Sequence, residues 1–155
     1  MSKRKPVDIS ELYDELKKLA NTYILSIDIK HFAQVNKEHG HATGDLVIAE
    51  AFLRIERELS GEMLLFRVGG DEFAVITGYD SLDDAKTLAR EVTKHNGEPV
   101  RAGNSEIPLS LWVGISRVPD GALSYHRTLE LMASAVESAR QSEDCVSVFV
   151  GAVKE

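Results

Sequence analysis

The chain has 155 residues, and 18 Lys and Arg against 25 Asp and Glu give a formal charge of -7, a size that suits a single self-sufficient core. Its lone cysteine, Cys145, excludes an intrachain disulfide and a cysteine-rich zinc cage and points to a reducing cytoplasm. No apolar run spans a membrane or follows the first residues as a signal peptide, and the acidic balance lacks the basic face of a duplex nucleic-acid binder.

Lys3, Arg4 and Lys5 form a short basic tail closed by Pro6. Apolar residues at Ile9, Leu12, Tyr13, Leu16 and Leu19 mark one face of a first helix, with Asp8 and Glu11 placed as its cap. Residues 1–22 therefore read as tail and entry helix, and 23–155 as one compact domain. The β-rich run Tyr23–Ile29 predicts a buried strand, on which Ile24, Ser26 and Asp28 share a face. Residues 32–39 predict a short helix ended by Gly40. Thr43 then caps a longer helix whose apolar positions are Ile48, Phe52, Ile55 and Leu59, with Glu50, Arg54 and Glu58 along its wet side.

Leu64–Val68 and Phe73–Ile76 predict a hairpin around Gly69 and Gly70. Ser81 opens a helix with Ala85, Leu88, Ala89 and Val92 inward, stopped at Asn96 and Gly97. A second hairpin turns at Gly103 and Asn104, with Leu109–Ile115 as its long strand. Met132, Ala135, Val136 and Ala139 mark a last helix, and Val146–Val150 a last strand. The order α-β-α-α-β-β-α-β-β-α-β excludes a simple doubly wound sheet. It predicts an α/β (α+β) domain with an antiparallel-rich sheet under flanking helices, ferredoxin-like in kind.

Two places carry acid that a bland core would reject. Asp28 ends an otherwise apolar strand, and Asp71 and Glu72 follow the glycine turn. Taken singly, these are a strand-end or capping residue and ordinary turn acids. Taken together, with the hairpin beside the first strand, they bring three hard oxygen ligands to one edge, a set suited to Mg²⁺ or Mn²⁺. Gly69 and Gly70 suit a tight turn and close approach of a phosphate or base. His31 and Phe32 open a helix whose free N–H groups suit phosphate. Asn36 and Asp45 carry the donors and acceptors of a purine reader, although a surface polar group and a first-turn acid account for them equally well.

The segment Phe66-Arg67-Val68-Gly69-Gly70-Asp71-Glu72-Phe73, with Asp28, Asn36 and Gly44-Asp45 upstream, resembles the GGDEF domain of bacterial diguanylate cyclases over about Tyr23 to Val150. The resemblance implies a palm fold similar to nucleotidyl cyclases and condensation of two GTP into cyclic di-GMP. Each GTP would sit on one protomer of a transient homodimer. It further implies Mg²⁺ on Asp28, Asp71 and the Ile29 carbonyl, phosphates at the backbone of His31 and Phe32, and guanine on Asn36 and Asp45. Glu72 would assist at the metal or take the proton of the attacking hydroxyl, and Arg140 would bind phosphate.

The chain also departs from the pattern. Lys30 stands where an acid is frequent, Ala33 where a lysine is, and Asp144 where a second phosphate-binding base is expected; Glu143 and Cys145 replace a Gly and an Asn. Trp112 replaces a small residue and reads as a large core aromatic. Ser60 and Met63 lack the Arg-x-x-Asp inhibitory site, which implies no product binding there, and Pro6–Glu11 lacks the usual helix-entry motif. A degenerate domain that binds GTP or a protein partner is thus the alternative to a cyclase, and either reading is compatible with a fused or separate sensor module or with a domain that stands alone.

Overall fold

The structure, a computed structural model, describes residues 9–119 and 124–149. The apolar run at Tyr23–Ile29 becomes β1 (Thr22–Ile29), buried along its whole length. Such a strand needs a neighbour on each edge and cover on each face. Antiparallel partners are β3 (Glu72–Ile76) on one side and β6 (Leu111–Val118) on the other. The hairpin mate β2 (Leu64–Arg67) pairs with β3, and β7 (Val146–Phe149) lies parallel to β6, giving a five-stranded sheet in the order β2-β3-β1-β6-β7.

Side chains alternate along β1 and build two cores. Tyr23, Leu25, Ile27 and Ile29 join the larger one, which contains residues of α3 (His41–Glu56) and α4 (Leu82–Thr93). Ile24 faces the other way, into a cluster with Leu12 and Leu16 of α1 (Ile9–Leu16) and Met132 of α5 (Tyr125–Arg140). Asp28 belongs to this second face. The helix α5 packs closely because β6 carries Gly114: a Cβ there would lie 2.2 Å from the Ala135 backbone. The short helix α2 (Phe32–His39) runs into α3 through Gly40, whose φ of 90° suits glycine.

Four sequence expectations are corrected. The second hairpin consists of β4 (Pro99–Ala102) and β5 (Ser105–Pro108), a separate small sheet, whereas the long strand is β6 in the main sheet. The chain leaves β5 at Pro108, which has no N–H to carry a ladder onward. Thr43 does not cap α3, which begins two residues earlier, at His41. The face that α3 buries runs through Val47, Ala51, Arg54 and Ile55, with Ile48 and Phe52 at its margin. Arg54 is consequently not on the wet side: 8% exposed, it bonds Glu50 at 3.2 Å and donates to the carbonyls of His95, Glu98, Pro99 and Leu109.

Ser81 does cap α4, its hydroxyl accepting from the Asp84 N–H at 3.3 Å. The proposed cap at Asp8, the basic tail and Val150 lie outside the described residues. Among the described residues no helix is long and apolar enough to cross a membrane.

Candidate functional site

Register places the acids. On the β1–β3 ladder Asp28 stands opposite Glu72, and one residue earlier Asp71 accepts the Ile29 N–H at its carbonyl, 3.2 Å away. The turn is held by Arg67, whose guanidinium donates to the carbonyls of Gly69 and Gly70, the latter at 2.8 Å. Sequence reading assigned no role to Arg67; its position flanking the glycine pair was the available signal. Oxygens of Asp28, Asp71 and Glu72 all come within 4.8 Å of one another.

The two glycines of the turn differ in what surrounds them. Neither Gly69 nor Gly70 has a positive φ, so the turn itself does not require glycine. Gly69 instead leaves the space that Glu72 uses, since a Cβ there would meet Glu72 Oε1 at 2.9 Å; around Gly70 the space is open.

Asp28 is 2% exposed, and this burial pushes its carboxyl up to about 6. Its bond to Arg140 works in the opposite direction, and the Asp71 charge adds to the rise. Arg140, at the end of α5, donates to Asp28 Oδ2 and also to Glu137 at 2.9 Å. The other oxygen, Asp28 Oδ1, is buried without a hydrogen-bond partner. A buried, unpartnered carboxylate oxygen beside two further carboxylates fits the hard, oxygen-preferring divalent cation expected from the sequence.

Beyond the end of β1, α2 and the start of α3 bring His31, Phe32, Asn36 and Asp45 to one junction. His31 takes a left-handed φ of 58° to open α2, and Phe32 is half-buried against the core. Asn36 lies against Gly44 so closely that a Cβ there would be 1.9 Å from its Oδ1. That oxygen has no partner, while Asp45, the next residue of α3, is exposed. An amide oxygen awaiting a donor and a free carboxylate at one helix junction suit a base edge that offers N–H groups. Beyond Glu72 and Arg140, an open cleft of about 830 Å³ follows α5 past Met132 and Val136.

Trp112 is not the core aromatic that the sequence suggested. It sits opposite Asp28 on β6, half-buried, with Lys30 Nζ 5.5 Å and the Arg140 guanidinium 5.6 Å from its ring centroid. His31 meets it edge-on at 5.9 Å. Lys30 Nζ also donates to Cys145 Sγ at 3.1 Å. Asp144 is exposed, and its Oδ1 accepts the Ser142 hydroxyl at 2.6 Å and the Val146 N–H at 3.3 Å. These bonds, the hydroxyl first, hold its carboxyl below the usual range.

A central antiparallel sheet that presents acids at the end of its middle strand, with helices on both faces, defines a palm-type domain of the nucleotidyl-cyclase kind. The chain belongs to the GGDEF family: residues 8–144 match the family described as "Diguanylate cyclase, GGDEF domain". It is 31% identical over 121 residues to the bifunctional diguanylate cyclase/cyclic di-GMP phosphodiesterase MucR of Pseudomonas aeruginosa, covering 78% of this chain and 17% of that protein. Diguanylate cyclase SiaD of the same species, solved with its activator SiaC, superposes with a TM-score of 0.80 at 28% identity, over 91% of this chain and 57% of that one. The GGDEF domain of TpbB, also from Pseudomonas aeruginosa, gives 0.73 at 29% identity, over 81% of this chain and 80% of that domain. The chain thus spans less than a fifth of MucR and a little over half of SiaD.

Proposed function

We propose that this domain is a diguanylate cyclase half-site: it binds one GTP and, facing a second copy, condenses two GTP into cyclic di-GMP. The observation that carries this reading is the convergence of Asp28, Asp71 and Glu72, with Asp28 Oδ1 buried and unpartnered. These carboxylates and the Ile29 carbonyl would hold Mg²⁺ or Mn²⁺, which when bound neutralises phosphate charge and orients the α-phosphate.

The chain's own residues do the rest. Asn36 and Asp45 orient guanine, while the backbone of His31 and Phe32 and the Arg140 guanidinium bind phosphate. Glu72 stands beside the reacting centre as proton acceptor or metal partner. The 3′-oxygen of one GTP bonds to the α-phosphorus of the other, the bond to the bridging oxygen breaks, and pyrophosphate leaves with it. The hydroxyl proton passes to Glu72 or water, and a second such step closes the ring. Two sites must face each other for this, so activity depends on a homodimer, and a fused or separate sensor module is the natural means of controlling it. A cytoplasmic location follows from the GTP requirement.

A second reading, a non-catalytic domain that binds GTP or a protein partner, is favoured by Asp144 and by the engagement of Asp28 with Arg140. Incubating concentrated protein with GTP and Mg²⁺ and looking for cyclic di-GMP by chromatography separates the two, with Asp71→Ala as the control. Absence of product with retained GTP binding by calorimetry selects the second reading.

A further inference from the structure

Three of the residues that break the family pattern, Lys30, Trp112 and Cys145, lie together. Trp112 is the cross-strand neighbour of Asp28, and Lys30, in the turn just after β1, reaches the same indole with its ammonium. Arg140 reaches this spot from α5, and Cys145 reaches it from the loop before β7. Two cations of like sign have thus been gathered over one indole, at 5.5 and 5.6 Å from its centroid. A tryptophan ring attracts cations, and a small side chain at this position could not hold either of them in this way.

Lys30 has no carboxylate partner among the described residues; its one bond is to a thiol, a weak acceptor. An ammonium so placed exchanges readily to a stronger acceptor. The acid at position 144, meanwhile, is turned away. Cys145 adopts a left-handed φ of 69°, and there the thiol goes inward while the Asp144 carboxylate stays exposed on Ser142 and Val146. Lys30 Nζ thus reaches the residue next to position 144.

We propose that Lys30 and Arg140, gathered over Trp112, form the two-cation seat for the outer phosphates of the nucleotide, with Lys30 standing in for the base absent at position 144. The proposal rests on the GTP reading above for the identity of the nucleotide, but the seat itself is defined by polyphosphate alone. Trp112 is a positioning residue: it acts through Lys30 and Arg140.

Calorimetry of the full chain in Mg²⁺ buffer, with inorganic tripolyphosphate, GTP and GMP as probes, tests it. Charge-assisted contacts of this kind predict that Lys30→Ala weakens tripolyphosphate and GTP about tenfold and leaves GMP unchanged. Lys30→Arg retains most of the affinity, and Trp112→Leu weakens the same two ligands while Trp112→Phe keeps them. Should Trp112→Leu not fold, by circular dichroism, Lys30→Ala and Lys30→Arg decide. Undiminished tripolyphosphate binding by Lys30→Ala overturns the proposal and leaves the GTP reading standing. Lys30-dependent tripolyphosphate binding without GTP binding supports the seat and sinks the guanine reading. A wild-type chain that binds neither overturns both.

Discussion

Arg140, at the last turn of α5, bonds the carboxylate of Asp28, at the end of β1, although 112 residues separate them. The guanidinium supplies positive charge at the place where the carboxylates converge. It therefore compensates a buried acid and, on the proposed reading, would compete with a divalent cation for it. On that reading the Asp28–Arg140 pair ties the stability of the site to metal binding.

Removing Arg140 should uncouple the two. In EDTA, Arg140→Gln is expected to lose about 1–2 kcal/mol, less than for a fully buried pair because the guanidinium is partly exposed. Mg²⁺ should raise its melting temperature more than that of the wild type. Thermal melts with and without MgCl₂ measure this, and equal Mg²⁺ shifts in both proteins would count against the competition.

Asp28 fixes a pH signature. Its folded value of about 6 lies above the ordinary 3.8, so the folded state binds more protons than the unfolded one in between. Its contribution is most favourable at low pH and is lost as pH rises from about 4 to about 6. In EDTA, the stability of the wild type relative to Asp28→Asn should fall across that window. Added Mg²⁺, which binds the ionised form, should reverse the slope. Denaturant midpoints at stepped pH supply the readout; a flat difference would contradict the assignment.

The turn glycines separate by function. Gly69→Ala intrudes on Glu72 Oε1 and should displace that carboxylate, reducing turnover at least tenfold if Glu72 moves the proton. Gly70→Ala meets open space and has no positive φ to strain, and so should retain activity and fold. Paired turnover and melting measurements on the two variants give the comparison. Equal losses in both would place the requirement in the turn backbone.

Arg54 is a structural cation. Replacing it by Met leaves four carbonyls with one donor fewer each and should cost about 3 kcal/mol. Lysine should rescue little, since a point charge cannot match the guanidinium fork. Chemical denaturation of the pair R54M and R54K checks this; a near-wild-type R54K would indicate that charge alone suffices.

Much of this was legible because it is local. An acid at the end of an apolar run, a glycine pair between two β-rich segments, and a small-residue stripe at Ala135 and Ala139 each announce an element and a face. The GGDEF turn and Asp28 could be joined in advance because adjacent antiparallel strands bring their ends together. What escaped depends on partners distant in sequence. Arg54 has acids four residues to either side, the pattern of a solvated helix face, and nothing local reveals the carbonyls of residues 95–109 that bury it. Leu109–Ile115 reads as the long strand of the second hairpin, yet β5 already ends at Pro108 and β6, in the other sheet, begins at Leu111. Trp112 has the size of a core residue, and only the meeting of β6, α5 and the loop at Cys145 gives it Lys30 and Arg140 as neighbours.

Trp112 is also the chain's sole tryptophan. Indole emission from this protein therefore comes from one address, flanked by Lys30, Arg140 and the edge of His31. Any event that moves those side chains is written into an unlabelled optical signal, free of contributions from elsewhere in the fold. The molecule carries its own gauge beside the carboxylates.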